Sequence, residues 1–136
     1  MNVFGQDVRV PLVAEASGHN VLLPGPAGTS TTVLSNVASI HAVYIDVMVT
    51  STVRIDQIDL VLYAANGDIA ATVTIHSGNV AAGTPSIHRY GGSLQALSAG
   101  PFQVGQAIGQ FYDVVVRNND AGGNNGTVNV WTAARS

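Results

Sequence analysis

Apolar and polar residues alternate with a period of two through most of residues 40–75. This period belongs to a β-strand with one buried face, and it cannot line one face of an α-helix. The first run predicts a strand whose apolar positions face a core and whose remaining positions face the other way. The apolar positions of this strand are Val43, Ile45, Val47 and Val49, and the positions between them are Tyr44, Asp46, Met48 and Thr50.

The apolar positions change parity within this stretch, from odd numbers through Ile55 to even numbers from Ile58. A shift of one residue sends every later side chain to the opposite face of a sheet. Two arrangements explain the change: a β-bulge near Asp56-Gln57, or a turn at Ser51-Thr52 where two strands meet. We favour two strands, with a turn or sharp bend near Ser51.

Asn66-Gly67 lies between two alternating runs and predicts a β-hairpin with a type I′ turn, because both residues tolerate a positive φ. Ile58, Leu60 and Leu62 mark the apolar face of the strand before this turn. The return strand has Ile69, Ala71, Val73 and Ile75 on one face and Thr72, Thr74 and His76 on the other.

The second half of the chain repeats this pattern more weakly. Alternation predicts a strand at residues 108–117, a polar hairpin loop at residues 118–126 and a last strand at residues 127–132. Residues 93–99 fit a helical turn or a strand, and residues 101–105 fit a short strand. The chain is therefore predicted to be all-β: a single antiparallel β-sandwich, jelly-roll-like, with about eight short strands and less than about 10% helix. The predicted core includes Ile45, Val47, Leu60, Leu62, Val73 and Val114.

The N-terminal part is the least regular. Residues 8–12 fit a short strand that Pro11 confines to a sheet edge, and residues 21–23 form another apolar run. We divide the chain into an N-terminal region or arm, residues 1–37, and a sandwich domain, residues 38–136. The N-terminal region either supplies two edge strands to its own sandwich or extends onto a neighbouring subunit and adds a strand there.

Composition supports the β assignment, since 20 Val stand against 8 Leu, one Glu and no Lys. Charged residues make up 10% of the chain, against about 25% in average soluble proteins, which favours a protein that lives in an assembly. Five scattered Arg exclude a basic footprint for nucleic acid, and no apolar run is long enough to span a membrane. Asp7 and Arg9 interrupt any signal-peptide core, so we expect no signal peptide and synthesis in a host cytoplasm.

The residues that carry catalytic chemistry do not form a recognisable site. His19, His41, His76 and His88 lack metal-ligand spacing, and no Cys is available to complete a site. Glu15 lies in the irregular N-terminal region. Asp56 and Asp59 are more typical of a solvated strand face than of a general acid and a nucleophile, although a bulge would change which way they point. We expect no enzyme activity, no catalytic, cofactor-binding or metal-binding residue, and no cofactor.

Two weaker binding signals remain. The loop from Asn118 to Asn125 offers oxygen atoms to calcium, but its single carboxylate, Asp120, favours a plain flexible hairpin loop. Sugar binding needs exposed aromatic faces, and Trp131 lies opposite Val128 and Val130 in the alternation, outside the predicted core. The other aromatic candidates are Tyr44, Tyr63, Tyr90 and Tyr112.

Taken together, the absence of Cys and Lys, the Val-, Ala-, Gly- and Thr-rich β-domain and the long uncharged N-terminal stretch resemble tailed-phage head proteins of the decoration (cement) or minor capsid type. The resemblance is of general type over the whole chain. It implies a non-catalytic structural protein in a virion, which stabilises or decorates a capsid by self-association, as a trimer, and by contact with a major capsid protein. The alternative functions are a carbohydrate-binding module or lectin and a small β-sandwich enzyme.

Overall fold

The computed structural model describes residues 13–39, 42–91 and 109–135. Within these residues all regular structure is β-strand, in agreement with the alternation. The eight strands are β1 (Val13–Leu23), β2 (Ser30–Ala38), β3 (Tyr44–Ser51), β4 (Ile55–Tyr63), β5 (Ile69–Val80), β6 (Ser86–Gly91), β7 (Phe111–Asn118) and β8 (Gly126–Arg135). The elements predicted at residues 8–12, 93–99 and 101–105 lie outside the described residues.

The strands form two four-stranded antiparallel sheets, which we call the first sheet (β1-β8-β3-β6) and the second sheet (β2-β7-β4-β5). The pairing is nested, because β4 pairs with β5, β3 with β6, β2 with β7 and β1 with β8. The chain is thus one long antiparallel ribbon, doubled back between β4 and β5, whose successive strand pairs alternate between the two sheets. This arrangement is a jelly roll, and it confirms the predicted antiparallel sandwich.

The core lies between the sheets and consists mainly of β-branched and Leu side chains. Of the six predicted core residues, five are fully buried: Ile45, Val47, Leu60, Leu62 and Val114. The sixth, Val73, packs against the core but is only partly buried, because β5 is an edge strand with open space on one side. The alternation therefore identifies the inward face correctly, and position within the sheet decides how completely a residue is covered.

A buried hydrogen bond joins the two sheets through this core. The hydroxyl of Tyr112 on β7 donates to Thr132 Oγ1 on β8 at 2.7 Å, and both residues are fully buried. Burial raises the pKa of Tyr112, because the phenolate would lose its hydration, and the Thr132 bond offsets part of that rise. Satisfying both hydroxyls lets these polar groups lie inside an apolar core.

Both suggested causes of the change from odd to even apolar positions, a turn near Ser51 and a β-bulge near Asp56-Gln57, are present in the structure. β3 ends at Ser51 in the first sheet, and β4 begins at Ile55 in the second, so the favoured turn near Ser51 is present. The pairing of β4 with both β5 and β7 also shifts between Ile55 and Gln57, which is the β-bulge of the alternative explanation. The bulge places Ile55 and Ile58 on the same inward face even though they are three residues apart.

The β4–β5 hairpin forms at Asn66-Gly67 as predicted, but the predicted type I′ turn is wrong. Gly67 has a φ of +89°, whereas Asn66 is not among the residues with positive φ, and a type I′ turn requires both. Ala64 O accepts from Gly67 N at 3.0 Å, and Asn66 Oδ1 accepts from Asp68 N at 3.0 Å. The Asn66 side chain thus holds the turn by bonding the backbone two residues ahead.

The N-terminal strands β1 and β2 are the outer strands on one side of the sandwich. They pair with β8 and β7 of the same chain and contribute Leu23, Val33 and Val37 to the core. The part of the N-terminal region that the structure describes therefore supplies edge strands to its own sandwich. Residues 1–12 lie outside the described range, and strand addition to a neighbouring subunit remains a proposal for them alone.

The first prediction tests the core assignment with two neighbouring residues of β4. Replacement of Leu60 by Ala should lower the free energy of unfolding by about 2–5 kcal/mol, through lost transfer energy and a residual cavity. Val61→Ala is the matched control, because Val61 lies on the outer face and is only partly covered. Chemical denaturation of both variants measures the difference. Equal losses of unfolding free energy in Leu60→Ala and Val61→Ala would show that the assigned inward face is wrong.

Candidate functional site

The outer face of the first sheet carries aligned rows of side chains that cross its strands. One row contains Ser17, Trp131, Met48 and Ile87, which are consecutive register partners on β1, β8, β3 and β6. Met48 and Ile87 are exposed and Trp131 is partly covered. Val128 and Val130 are buried on the opposite face, so Trp131 lies outside the core as the alternation predicts.

A cleft lies beside this row, above β1, β8 and β3. Trp131 and Met48 line one side of it, and Asn129 and Thr50, which are register partners of each other, line the other. Ser17, Gly18 and His19 of β1 and Val130 of β8 complete the lining, and the volume is about 240 Å³. The cleft therefore has an apolar wall and a polar wall.

A charged cluster occupies the next part of the same face. Arg89 forms a bidentate ion pair with Asp46, with N–O distances of 2.7 and 3.2 Å, and its guanidinium lies 4.0 Å from the centre of the Tyr44 ring. Arg135 approaches the same carboxylate at 3.4 Å. A guanidinium held between a carboxylate and an aromatic ring is oriented before any partner arrives.

The acidic residues considered for catalysis are engaged in structural contacts. The bulge in β4 places Asp56 beside Arg117, with Nε–Oδ1 at 2.8 Å, on the outer face of the second sheet. Asp59 accepts from Gln57 Nε2 at 2.9 and 3.1 Å and from Thr74 Oγ1 at 2.8 Å. Each carboxylate is held by its own donors. This arrangement differs from that of a general acid facing a nucleophile. Glu15 is exposed on β1, apart from both.

The Asn-rich loop between β7 and β8 is internally bonded. Asp120 Oδ2 accepts from the backbone N–H groups of Gly122 (3.1 Å) and Asn124 (3.0 Å) and from the Asn124 amide. These donors lower the pKa of Asp120, the Asn124 backbone contributing most. The buried Asn118 donates to Leu23 O and Asn124 O and accepts from Asp120 N. The loop that was expected to be flexible is therefore held by hydrogen bonds, and the Asp120 carboxylate makes its bonds within the loop.

Two histidines meet at the side of the sandwich where β5 faces β6. The ring centroids of His76 and His88 are 4.8 Å apart, with the planes inclined by 33°. His76 Nε2 donates to Gly78 O at 2.9 Å, and His88 Nε2 forms a hydrogen bond with the Ser86 hydroxyl. His41 lies outside the described residues, and the contact between His76 and His88 depends on the order of the strands in the two sheets. The described residues contain no group of three or more metal-ligating side chains.

The other aromatic candidates for sugar binding are occupied elsewhere. Tyr112 and Tyr90 are buried on the inner faces. Tyr63 donates to Asp113 Oδ2 at 2.7 Å on the outer face of the second sheet, and this bond raises the pKa of the phenol. Tyr44 is covered by Arg89. Of the five candidates, Trp131 is the one that lines the cleft above β1, β8 and β3.

The second prediction concerns the histidine pair. Burial, followed by the nearby His76, lowers the pKa of His88 below its ordinary 6.5. The unfolded chain thus binds a proton at a pH where folded His88 does not, and stability must fall as pH drops from about 6.5 towards the lowered value. In thermal melts between about pH 7 and pH 5, the melting temperature of the wild-type chain should fall as the pH falls. His88→Gln should make this dependence on pH weaker. His19→Gln, at an exposed residue on β1, is the control, and equal slopes in both variants would contradict the prediction.

The comparisons with known proteins bear on the fold. No protein-family model and no curated protein matches the sequence. The solved structures that it resembles include the VP2 subviral particle of infectious bursal disease virus, at 11% identity and a TM-score of 0.64, over 99% of this chain and 37% of that chain. The T13 particle of the same virus matches at 11% identity and a TM-score of 0.61, over 99% of this chain and 35% of that one.

A prophage-derived protein, YomS of SPBc2, matches at 11% identity and a TM-score of 0.46, over 97% of this chain and all of that one. The chain therefore spans little more than a third of the viral chains that it matches. At these identities the likeness to the bursal disease virus structures shows a shared β-fold and nothing more. Among the described residues, no helix is long and apolar enough to cross a membrane.

Proposed function

We propose that this chain is a non-catalytic structural protein of a virus particle, which stabilises or decorates a capsid through contacts with neighbouring subunits. The observation that carries the proposal is the eight-strand jelly roll of the described residues, in a chain that overlays on the infectious bursal disease virus structures along nearly its whole length. Fold alone does not give function, so the proposal needs a contact surface as well. Self-association as a trimer, contact with a major capsid protein and location in the virion belong to the same proposal.

Chemistry supports a binding protein over an enzyme. The carboxylates of Asp56, Asp59 and Asp120 are each engaged by fixed donors within the fold. An acid–base pair would need carboxyl groups that face one substrate from two sides. What the surface offers instead is an exposed row of apolar and aromatic side chains on one sheet.

The sheet edges are poor sites for adding a strand from another subunit. The register of β1 shifts between Gly18 and Val21, β2 shifts twice, and β5 shifts at three places along its pairing with β4. The fourth edge strand, β6, has six residues and carries Arg89. Bulges, short strands and charges are the features that block edge pairing. Contacts between subunits therefore fall to the sheet faces, the loops or residues 1–12.

The strongest contact surface is the outer face at β3 and β6, which we call the β6 patch and define as Tyr44, Ile87 and Arg89. The Ile87 side chain is 71% exposed. Arg89 is fixed beside it by Asp46 and Tyr44. Tyr and Arg dominate the energetics of protein interfaces when an apolar contact accompanies them. An oriented Arg also loses less conformational entropy on binding.

The third prediction compares two exposed isoleucines. Ile87→Asp should weaken self-association about tenfold or more, because it places a charge in the centre of the contact. Ile69→Asp is the matched control, since Ile69 is 62% exposed but lies beside the β4–β5 turn of the second sheet. Sedimentation velocity over a concentration series measures both constants, and thermal melts check that each variant is folded.

Three results would contradict the proposal in different ways. A wild-type chain that stays monomeric at every concentration would remove self-association. Equal weakening in the two variants would point to a non-specific effect of the added charge. An unchanged Ile87→Asp variant would exclude the β6 patch, and deletion of residues 1–12 would then test the N-terminal contact directly. That deletion leaves β1 and β2 intact, so the sandwich should remain folded.

A further inference from the structure

We propose that the cleft above β1, β8 and β3 binds a single pyranose ring of a glycan. It shares no residue with the β6 patch, which consists of Tyr44, Ile87 and Arg89. The site consists of Trp131 and Met48 on one wall and of Asn129, Thr50 and His19 on the other.

The two walls suit the two kinds of surface on a sugar ring. A pyranose presents C–H groups on one face and hydroxyl groups around its rim. The indole of Trp131 offers a broad π face with negative potential, on which the C–H groups can pack, and Met48 extends this apolar surface. The hydroxyls of Thr50 and Ser17, the Asn129 amide and the His19 ring offer donors and acceptors to the rim.

A bulge in β1 positions the polar wall. The pairing of β1 with β8 shifts between Gly18 and Val21, and Asn20 has a φ of +52°. At this shift Asn20 N donates to Asn129 Oδ1 at 2.8 Å. Within the Asn129 amide the oxygen accepts and the NH₂ group donates, so this bond fixes the orientation of the amide. The Asn129 NH₂ group is thereby defined as the donor for a ligand.

The size of the cleft suits contact with a single ring. Its volume of about 240 Å³ lies below the roughly 300–1,000 Å³ that is usual for drug-sized ligands. The backbones of Gly18 and Val130, which are register partners, form its floor and prevent deeper entry. We therefore expect a dissociation constant in the millimolar range for a free monosaccharide.

The chain provides its own reporter for this site. Trp131 is the only tryptophan of the sequence, so tryptophan emission reports on the cleft without a label. The experiment titrates the full chain with methyl glucopyranoside, methyl galactopyranoside, methyl mannopyranoside and N-acetylglucosamine, each up to about 100 mM. Sorbitol is the control ligand, because it has similar hydroxyls but no ring. At least one pyranoside should give a saturable change in emission, and sorbitol should give none.

A matched pair of variants assigns the change to the polar wall. Thr50→Val keeps the shape of the side chain and removes one hydroxyl, so it should weaken sugar binding about three- to tenfold. Thr72→Val removes an exposed hydroxyl on β5 in the other sheet and should leave binding unchanged. Asn129→Ala should weaken binding at least as much as Thr50→Val, since it removes the oriented donor.

Three outcomes would overturn the proposal. The first is no saturable change with any of the pyranosides. The second is the same sugar affinity in Thr50→Val and Thr72→Val, which would place the sugar elsewhere. The third is an emission change that follows protein concentration and not sugar concentration, which would show that a second copy of the chain occupies the cleft. Because Ile87→Asp leaves the cleft residues unchanged, sugar binding in that variant separates this proposal from the failure of the assembly proposal.

Discussion

The passage of the chain from one sheet to the other between Ser51 and Ile55 is the constraint on which the sandwich depends. Ser51 Oγ accepts from Val53 N at 3.1 Å, and Ser51 O accepts from Gly83 N at 2.7 Å, so the corner is tied to itself and to the β5–β6 loop. Val53 packs so closely on β8 that a Cβ at Gly126 would lie 2.6 Å from it. The bulge that follows restores the inward direction of the apolar side chains; without it, Ile58 and all later apolar residues of β4 would face solvent.

The alternation of apolar residues predicted the inward faces of strands that have one buried face. It did not predict contacts that depend on which strands lie next to each other. The inward faces of β3, β4 and β7 follow directly from the alternation, since every second residue meets the other sheet. The contact of His76 with His88 does not, because it depends on β5 and β6 being edge strands of opposite sheets. The cleft is similar: alternation places Trp131 outside the core, but only the register brings Met48 and Asn129 beside it.

Charged side chains are scarce in this protein, and asparagine side chains make hydrogen bonds to the backbone of its loops. At the end of the sandwich that carries the β7–β8 loop, Asn118 satisfies carbonyl groups of Leu23 and Asn124, and Asn125 accepts from Gly25 N at 2.9 Å. Asn side chains offer both donors and acceptors, so they can pair with orphan backbone groups of several loops without introducing charge. A flexible loop was the natural expectation from composition, but an Asn-rich loop has enough partners to order itself.

The edges and faces of this sandwich also determine how one copy can associate with another. Its bulged and short edges disfavour strand addition, which favours contacts through a face, and on the face of the first sheet the exposed Ile87 lies beside an Arg that Asp46 and Tyr44 orient. On the same face the cleft beside Trp131 is too small for a tight monovalent ligand. Weak sites become effective when many copies are held together, because each later contact is made at a high effective concentration. The proposed assembly and the proposed glycan site therefore reinforce each other: an ordered array would convert millimolar binding by single subunits into stable attachment of the whole particle.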